Sequence, residues 1–458
     1  MVRPRVRSVT LAAANTALNL LERRAGAQRG YSNGQERPLP PDAWIRMSWG
    51  SSAARFLASA STVLVVRWLR RHSQQRALLR VWSAKRRPVT TVDATIRLPK
   101  EDLDPDLAGC DSVAQLRERI AKLGLPPLVP REMHPCSVSL AGRARKLLGL
   151  TTSFTVMQFN QLAEGLSSGP HVEPPFGRAG VKPSGYGGFD AVAQPEVVFD
   201  WSKRKLRLVE EILRFLPDVL TVQECDHFAD FLLPALRTAG YDGVYAPKRN
   251  SPCLEFGYHS DGVAILWKQN AFAPIGSERR FFIEDDGSES GRPYLLALLR
   301  HRECDSTLLV ATTHMKAKLS QPNEDLRAKQ ITQLLDALEE SAADKADAVM
   351  LCADFNTDPY DEPGKQVAKC VPAVLGHRLG LRSAYPLPRS EHDGWWTTWK
   401  KRGASEVKHT IDYIFHSSGL QPTSVLAPPA VDDLEEARLP GIRYPSDHLS
   451  IAAEMQMP

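Results

Sequence analysis

The sequence predicts an α/β (α+β) fold, namely a sandwich of mixed β-sheets covered by helices. Short apolar runs of β type occur in hairpin-like pairs, and other such runs alternate with amphipathic helical segments. Hairpins give antiparallel strand pairs and strand–helix–strand units give parallel ones, so the two together predict mixed sheets. A third observation is that polar residues able to do chemistry stand where these runs end. Strand ends are where a rigid scaffold presents side chains to a pocket.

The predicted strands are short apolar runs bounded by polar or turn residues. In chain order they cover residues 154–159, 219–222, 262–267, 294–299, 308–313, 349–353, 411–415 and 449–453. The predicted helices repeat apolar residues at helical spacing and cover residues 111–123, 201–216, 227–238 and 325–340. We also expect a turn at residues 240–243 and a long surface insertion at residues 169–195, which are rich in Gly and Pro.

The positive charge of the chain is concentrated in its first 90 residues. The 458 residues carry a formal net charge of +5, but residues 1–90 hold 17 Lys and Arg against three acidic residues. That segment is at +14, which leaves −9 for the remainder. An acidic remainder does not suit a broad nucleic-acid platform, so any anion site must depend on a few local cations. Seven widely spaced cysteines without a C-x-x-C pair argue against a disulfide framework and against a zinc site.

The basic N-terminus predicts a targeting region. Residues 1–30 combine six arginines, one acidic residue and an Ala/Leu-rich stretch, which is the composition of an organelle transit peptide. We therefore expect import into mitochondria or another organelle; the alternative is a disordered basic tail on a cytoplasmic protein. The apolar run 56–66 is shorter than the roughly 20 residues that span a bilayer, so we expect no membrane anchor.

Three regions follow from these patterns. Residues 1–90 form the basic targeting or disordered region, residues 91–150 a partly helical N-terminal extension, and residues 151–458 the domain that carries the polar motifs. No motif with evident chemistry precedes residue 150, and the chain shows no internal repeat.

Glu224 follows a predicted buried strand and is the first candidate metal ligand. A carboxylate at a strand end can hold Mg²⁺ while the ion keeps several of its waters. The alternative is a surface glutamate that caps the next helix, although Asp226 suits that role better.

Asp354 and Asn356 share one face of the chain, while Phe355 between them turns towards the core. Asp354 can orient an attacking water or accept its proton, and Asn356 can donate to a non-bridging phosphoryl oxygen. An Asx turn that merely ends a strand is the alternative.

His448, which follows Ser446 and Asp447, can bind a phosphate oxygen as an imidazolium. A carboxylate partner raises the pKa of a histidine and fixes its tautomer, and Asp412 can be that partner. Asp447 is a candidate for the water or leaving-group side of the site, and His314 for a phosphate contact. Taken singly, each of these residues is more often structural.

Basic residues near these motifs can clamp substrate phosphates. They are Lys248, Lys316, Lys318, Arg327, Arg402 and Lys408. Most basic residues are solvated surface, and Glu324 and Asp325 beside Arg327 indicate an ordinary helix start there. Carboxylates, amides, imidazoles and cations in this pattern predict a metal-assisted phosphoester hydrolase.

The order of the motifs resembles that of the endonuclease/exonuclease/phosphatase family. The motifs are Gln-Phe-Asn at 158–160, Gln-Glu at 223–224, Thr-His-Met-Lys at 313–316, Asp-Phe-Asn at 354–356, His-Thr-Ile-Asp-Tyr-Ile at 409–414 and Ser-Asp-His at 446–448. Further segments resemble its nocturnin-like branch, which is related to deadenylases: Tyr-Ala-Pro-Lys at 245–248, Thr-Thr-Trp-Lys at 397–400 and Arg-Tyr-Pro-Ser-Asp-His at 443–448. The resemblance covers residues 150–457.

This resemblance implies a DNase I-like, four-layer sandwich of two mixed β-sheets flanked by helices, with the site at one edge of the sheets. It implies Mg²⁺, or Mn²⁺ in its place, at Glu224, with Asn160 beside it as a metal and substrate ligand. It also implies that Asp412 orients His448. The substrate cations that match are Lys248, Lys316, Lys318 and Arg402, and Lys318 stands where an arginine is expected.

For the substrate, the resemblance implies NADP⁺ and NADPH, from which the nocturnin-like branch removes the 2′-phosphate. The alternative is a 3′–5′ exoribonuclease that shortens poly(A) RNA, although no leucine-rich repeat array precedes the domain as it does in scaffold-borne deadenylases. An inactive binding module is a third hypothesis, but Glu224, Asp354 and His448 are all present. We expect neither a DNA substrate nor an obligate protein partner.

Overall fold

The computed structural model describes residues 103–136, 151–169, 172–177, 185–343, 345–390 and 392–457. The predicted targeting region 1–90, with its apolar run 56–66, lies outside the described residues, as do parts of the extension 91–150 and of the insertion 169–195. All described residues except Thr151 belong to one compact unit, which joins Thr90–Val138 to Thr152–Pro458. Among the helices of these ranges, none combines the length and the apolar character needed to cross a membrane.

The strands of the described ranges are numbered here in chain order. They are β1 Met133–Pro135, β2 Thr152–Asn160, β3 Val219–Cys225, β4 Tyr241–Pro247, β5 Gly262–Lys268, β6 Phe272–Ile283, β7 Glu289–His301, β8 Thr307–Thr313, β9 Ala348–Asp354, β10 Arg382–Ser383, β11 Thr398–Arg402, β12 Ser405–His409, β13 Asp412–His416, β14 Gln421–Leu426 and β15 Ile451–Met457.

The helices of the same ranges include two long amphipathic ones and several short ones. They are α1 Val113–Lys122, α2 Glu164–Ser167, α3 Pro195–Val198, α4 Trp201–Phe215, α5 Leu233–Arg237, α6 Pro252–Glu255, α7 Gln321–Ala342 and α8 Cys370–Gly376. Capping side chains set their starts, since Ser112, Asp200 and Ser320 each accept a hydrogen bond from the first turn of α1, α4 and α7.

Two large mixed sheets form the body of the fold, which confirms the predicted fold class. The seven-stranded sheet has the order β1-β14-β15-β2-β3-β5-β4, and β2 and β3 are its parallel pair. The six-stranded sheet has the order β10-β13-β9-β8-β7-β6, with β8 parallel to β9. The strands β11 and β12 form a separate hairpin.

The alternation of side chains along the strands produces the four layers. In β9, Met350 and Cys352 belong to the core between the two sheets, whereas Leu351 and Ala353 pack on the helical side with α7 and α8. On the other sheet, α4 and the segment around Phe231 cover the outer face in the same way. Both faces of the central strands are therefore buried, which explains why their sequences are apolar throughout.

The extension adds to this unit. Strand β1 pairs with β14 at the edge of the seven-stranded sheet, and the Lys205 ammonium on α4 bonds to the Asp104 carboxylate at 2.6 Å. The described part of the insertion contains a turn at Gly185–Gly188, and α3 begins at its last residue, Pro195.

Seven strands of the described ranges were not predicted, namely β1, β4, β6, β10, β11, β12 and β14. The reason is clearest for β4 and β6. Residues 241–243, expected in a turn, begin β4, because the positive φ of +81° that turns the chain is confined to Gly240. Strand β6 contains Pro274 and three charged residues, which hide its β character in the sequence. It lies at the edge of its sheet and is interrupted by bulges, where proline and charge are tolerated.

The helix predicted over residues 227–238 also differs from expectation. It begins with a π-helical turn, Phe228–Leu232, and continues as α5. Pro234 lacks the amide that would bond to the carbonyl of Asp230, and that carbonyl accepts the amide of Asp104 instead at 3.0 Å. The wider turn therefore follows from a single proline.

Candidate active site

The polar motifs meet at one edge of the sandwich. Asn160 ends β2, Glu224 lies in the adjacent β3, Asp354 ends β9 and Asp412 begins the neighbouring β13. The Asn160 amide nitrogen donates to the Asp354 carboxylate at 2.9 Å and thereby joins the two sheets. The residues share one edge because β2 runs parallel to β3 and β8 runs parallel to β9, so the carboxyl ends of both strands of each pair lie on the same side of their sheet.

A bulge in β3 positions Glu224. The pairing of β3 with β5 shifts register between Val222 and Cys225, and Glu224 has a φ of +51°. A bulge of this kind re-aims a side chain, and a left-handed backbone at a residue with a Cβ is costly enough to mark a functional position. The carboxylate accepts the amide of Ala163 at 3.2 Å and remains 13% exposed.

Asn160 bridges two carboxylates. Its side-chain nitrogen donates to Glu224 at 3.2 Å and to Asp354 at 2.9 Å, and its side-chain oxygen accepts the backbone amide of Leu162 at 3.1 Å. Because the backbone N–H of Leu162 is a donor, the side-chain oxygen of Asn160 must point towards it, and this fixes the orientation of the side-chain amide. In this arrangement Asn160 holds the metal-ligand candidate beside Asp354, and its own role as a ligand stays a prediction.

Asp354 and Asn356 occupy a tight turn. The backbone N–H of Asn356 donates to the Asp354 carboxylate at 2.8 Å, and Asn356 adopts a φ of +53°. Phe355 is fully buried, as its position between two polar residues predicts. Burial, and then the neighbouring Asp412 carboxylate, raise the pKa of Asp354. A carboxyl group with a raised pKa is a better proton acceptor for a water.

His448 and Asp412 form a buried pair. Nδ1 of His448 lies 2.9 Å from the Asp412 carboxylate, whose other oxygen accepts the Gln158 side-chain amide at 2.7 Å. Burial lowers the pKa of His448, but the Asp412 and Asp447 carboxylates outweigh it and raise this pKa to about 9. The ring is therefore an imidazolium at neutral pH, with Nδ1–H bonded to Asp412 and Nε2–H left for the site.

The pKa of His314 is lowered, in contrast to that of His448. Burial, and then the positive charges of Lys248 and Arg292, hold its pKa well below the ordinary value, so the ring is neutral. Its Nδ1 lies 3.3 Å from the Lys248 ammonium, which is a donor, so Nδ1 accepts and Nε2 carries the hydrogen. Nε2 is 3.5 Å from Asp354 and 3.9 Å from Glu224.

The predicted substrate cations fall into two groups. The Lys248 ammonium is buried in a bond to the Asp261 carboxylate, and the Arg402 guanidinium donates to the carbonyl of Gly187 in the insertion at 2.6 Å. Lys316 is half-buried and Lys318 is exposed, beyond the end of β8. The first pair thus already has protein partners, whereas the second pair lies on the loop that leaves the site.

Arg327 was named among cations able to clamp substrate, with an ordinary helix start as the alternative; the first interpretation is wrong, and the helix start is confirmed. Its side chain is fully buried on α7 and bonds to the Glu324 carboxylate at 2.8 Å. A guanidinium enclosed by protein acceptors cannot reach a substrate.

Sequence reasoning also missed site residues. Lys400 bonds to the Asp447 carboxylate. Burial raises the pKa of Asp447, but the charge of Lys400 is the largest of the effects that lower it, and the net shift is downward. Lys400 ends the Thr-Thr-Trp-Lys motif at 397–400 and shares a face of β11 with Thr398 and Arg402, so the motif marked its position without assigning it a role. Arg204, buried on α4, donates to the carbonyl of Gln161 at 2.9 Å and to Ser167 at 3.1 Å, and no local motif marks it.

The donor set suits a divalent cation at Glu224. The carboxylate is a hard oxygen ligand, is partly open to solvent and is joined through Asn160 to a second carboxylate, that of Asp354. The described residues also include the group Asp354, Asp412 and His448, whose ligand atoms lie within 4.8 Å of one another. There the 2.9 Å bond between Asp412 and His448 already satisfies the imidazole, so this group fits a cation less well.

Comparisons with known proteins identify the family of this chain. A model of the Endonuclease/Exonuclease/phosphatase family matches residues 199–448. Nocturnin from Xenopus laevis is 32% identical over 346 residues, which cover 72% of this chain and 82% of that protein. The CCR4-Not complex 3′-5′-exoribonuclease subunit Ccr4 from Yarrowia lipolytica is 24% identical over 66% of this chain and 48% of its own length.

A solved structure shows the same fold. The catalytic domain of human nocturnin with a bound sulfate anion superimposes with a TM-score of 0.52 at 25% identity, over 72% of this chain and 98% of that domain. The sequence match, the fold and the motifs point to one assignment. The chain belongs to the endonuclease/exonuclease/phosphatase family and is an enzyme that hydrolyses phosphate esters.

Proposed function

We propose that this enzyme uses Mg²⁺ to remove the 2′-phosphate of NADP⁺ and NADPH. The observation that carries the proposal is one site edge at which Glu224, Asp354 and an imidazolium at His448 converge, with cations close by. A phosphate monoester needs this combination, because a water must be activated while the negative charge on phosphorus is neutralised.

The residues of the chain divide the work. Asp354, steadied by Asn160, orients a water and takes its proton as the water attacks phosphorus. His448 donates Nε2–H to a non-bridging phosphoryl oxygen, and Asp412 keeps the ring charged and oriented. The P–O bond to the ribose breaks, the 2′-oxygen takes a proton from solvent and Asp354 returns its proton to solvent, so that NAD⁺ or NADH and inorganic phosphate are the products. A Mg²⁺ ion held by Glu224 would supply charge to polarise a phosphoryl oxygen.

The small number of cations favours a small substrate. Lys316 and Lys318 lie on the loop beyond β8, and Lys248 is near His314. Residues 91–458 are otherwise net negative, so the attraction is local and suits the few phosphates of a dinucleotide better than a long polyanion.

A 3′–5′ exoribonuclease acting on poly(A) RNA is the second candidate. The relative from Yarrowia lipolytica is named as such an exoribonuclease, and the same residues could hydrolyse a phosphodiester. The two substrates differ in the leaving group and in the number of phosphates beyond the reacting one.

A direct comparison separates these candidates. Purified protein with Mg²⁺ is assayed for phosphate release from NADPH and for shortening of a labelled oligo(A). We expect phosphate release and intact oligo(A). Degradation of oligo(A) with intact NADPH would favour the exoribonuclease, and no hydrolysis of either would favour a binding module. Asp354→Asn is the inactive control, and Asp285→Asn, which alters an exposed carboxylate paired with Lys329, is the matched control.

A further inference from the structure

The loop that carries Lys316 and Lys318 is held in an unusual backbone conformation. It continues from His314 at the site edge, and Lys318 has a φ of +75°. This left-handed region is unfavourable for a residue with a Cβ and persists where the surroundings fix it, often at ligand clamps. The charged groups that act on Lys316 are the cations Arg292 and Lys318, so the loop concentrates positive charge.

Arg327 on α7 holds the backbone of this loop by hydrogen bonds. Its side chain is fully buried, and one guanidinium nitrogen donates to the carbonyl oxygens of Lys316 at 2.8 Å and Lys318 at 3.1 Å. A second nitrogen donates to the side-chain oxygen of Gln366 at 2.7 Å. The planar fork of an arginine can serve these acceptors together, whereas a lysine ammonium at the same position cannot.

Two neighbours on α7 complete the support. The Asn323 side-chain nitrogen also donates to the carbonyl of Lys318, at 3.1 Å. The Glu324 carboxylate bonds to Arg327 at 2.8 Å and accepts the amides of Lys369 at 2.7 Å and Cys370 at 2.8 Å. The Glu324 carboxylate thus compensates the buried charge of Arg327 and fixes the direction of its side chain.

We propose that Arg327, assisted by Asn323, is a positioning residue for substrate binding in this enzyme. It holds the backbone of residues 316–318 so that the ammonium groups of Lys316 and Lys318 are already in place when a phosphorylated substrate arrives. Preorganised groups bind more tightly because less freedom is lost on binding. The inference rests on the proposed function, in which these two lysines meet substrate phosphates, and it assigns a role to a buried arginine that touches no substrate.

The proposal predicts an effect on KM and not on kcat. Arg327 bonds to none of Asp354, Asp412 or His448, so the groups at phosphorus keep their arrangement. Two indirect links exist. Gln366 donates to Thr357 at 2.9 Å, next to Asn356, and the Asn356 side chain donates to the carbonyl of Met315 at 3.2 Å, next to Lys316. Asn323 bonds to the carbonyl of Lys318, beyond Met315, and has no bond to Gln366, so its substitution tests the far part of the loop without the route through Gln366.

The variants are Arg327→Lys and Asn323→Ala, made in the full-length protein. Asn323→Ala removes no buried charge, so it remains informative if Arg327→Lys folds poorly. Gln333→Ala is the matched control, because Gln333 lies on the same helix and its amide bonds to the backbone of Ile283 at 2.8 Å, away from the loop. Steady-state kinetics on the substrate that the enzyme cleaves is one measurement; hydrogen exchange of residues 316–323 without substrate is the other.

Both test variants should raise KM about tenfold, the loss expected for one charge-assisted contact, and change kcat less than about twofold. They should also speed exchange of residues 316–323, and the control should do neither. The idea is overturned if KM and exchange stay at the unmodified values, if kcat falls alone, or if Gln333→Ala has the same effect. If the unmodified protein cleaves neither NADPH nor oligo(A), the proposed function has failed, and the exchange result alone then decides whether Arg327 and Asn323 hold the loop.

Discussion

Replacement of Asp412 by asparagine should move the basic limb of the pH–rate profile. Asp412 lies 2.9 Å from Nδ1 of His448 and, after the opposing effect of burial, is the main group that raises the pKa of His448 to about 9. Each pKa unit corresponds to 1.36 kcal/mol, so the rise from 6.5 represents about 3 kcal/mol in favour of the imidazolium. An asparagine keeps the shape but removes the charge, so the pKa of His448 should fall towards its ordinary value, because burial is then opposed mainly by the Asp447 carboxylate alone.

The raised pKa of His448 predicts a loss of both activity and stability at high pH. In the unmodified enzyme, kcat/KM should stay high through neutral pH and fall as pH rises through about 9, where His448 loses its proton. The same group contributes stability that is fully present below about pH 6.5 and is lost as pH rises through about 9. In Asp412→Asn the basic limb should move down by about two pH units, and at about pH 7.5 the rate should fall several-fold from protonation alone. The stability contribution of His448 should shrink, because its pKa in the folded protein then approaches the value in the unfolded chain.

The assay is phosphate release from the preferred substrate between about pH 6 and pH 10.5. The matched control is Asp358→Asn, because Asp358 is a buried carboxylate that bonds to another imidazole, Nδ1 of His409 at 2.6 Å, without contact to His448. The control should keep its basic limb near pH 9. A constant loss at every pH in Asp412→Asn, with the limb unmoved, would refute the reasoning and reduce Asp412 to a steric support.

Four further outcomes are expected. Glu224→Gln should lose most activity and its response to added Mg²⁺, checked by metal titration of the rate; a full rate at the same metal concentration would remove Glu224 from the metal site. Lys400→Met should move the basic limb of the profile above about pH 9, opposite to Asp412→Asn, because Lys400 lowers the pKa of His448; a downward shift in the same pH series would contradict this charge assignment. Leu334→Ala, in the fully buried face of α7, should lower the free energy of unfolding by about 2–5 kcal/mol in urea denaturation and leave KM unchanged; a change below about 1 kcal/mol would show that α7 is not packed as described. A fluorescent fusion of residues 1–90 should concentrate in mitochondria on imaging, and diffuse signal would defeat the transit-peptide prediction.

The fold class was predictable because periodicity survives in the central elements. The apolar runs at 219–222, 308–313 and 349–353 lie in β3, β8 and β9, and the helical pattern at 201–216 became α4. These segments bury regular faces, so sequence pattern and tertiary position agree. Strand β6 was missed because its edge position relaxes the pattern, and the π-helical turn before α5 depends on the placement of one proline.

The sequence by itself determined which residue types stand at the strand ends, and therefore the reaction type: Glu224, Asp354 and His448 are recognisable from their motifs. Only the tertiary structure decided how they act. The bulge at Glu224, the bonds of Asn160 to the Glu224 and Asp354 carboxylates and the bond of Lys400 to Asp447 each depend on partners far away in the chain. Arg327 shows the same limit, since its residue type suggests a phosphate ligand but its burial makes it a support for the loop of Lys316 and Lys318. Burial and long-range partners fix protonation, orientation and reach, and these quantities are absent from local sequence.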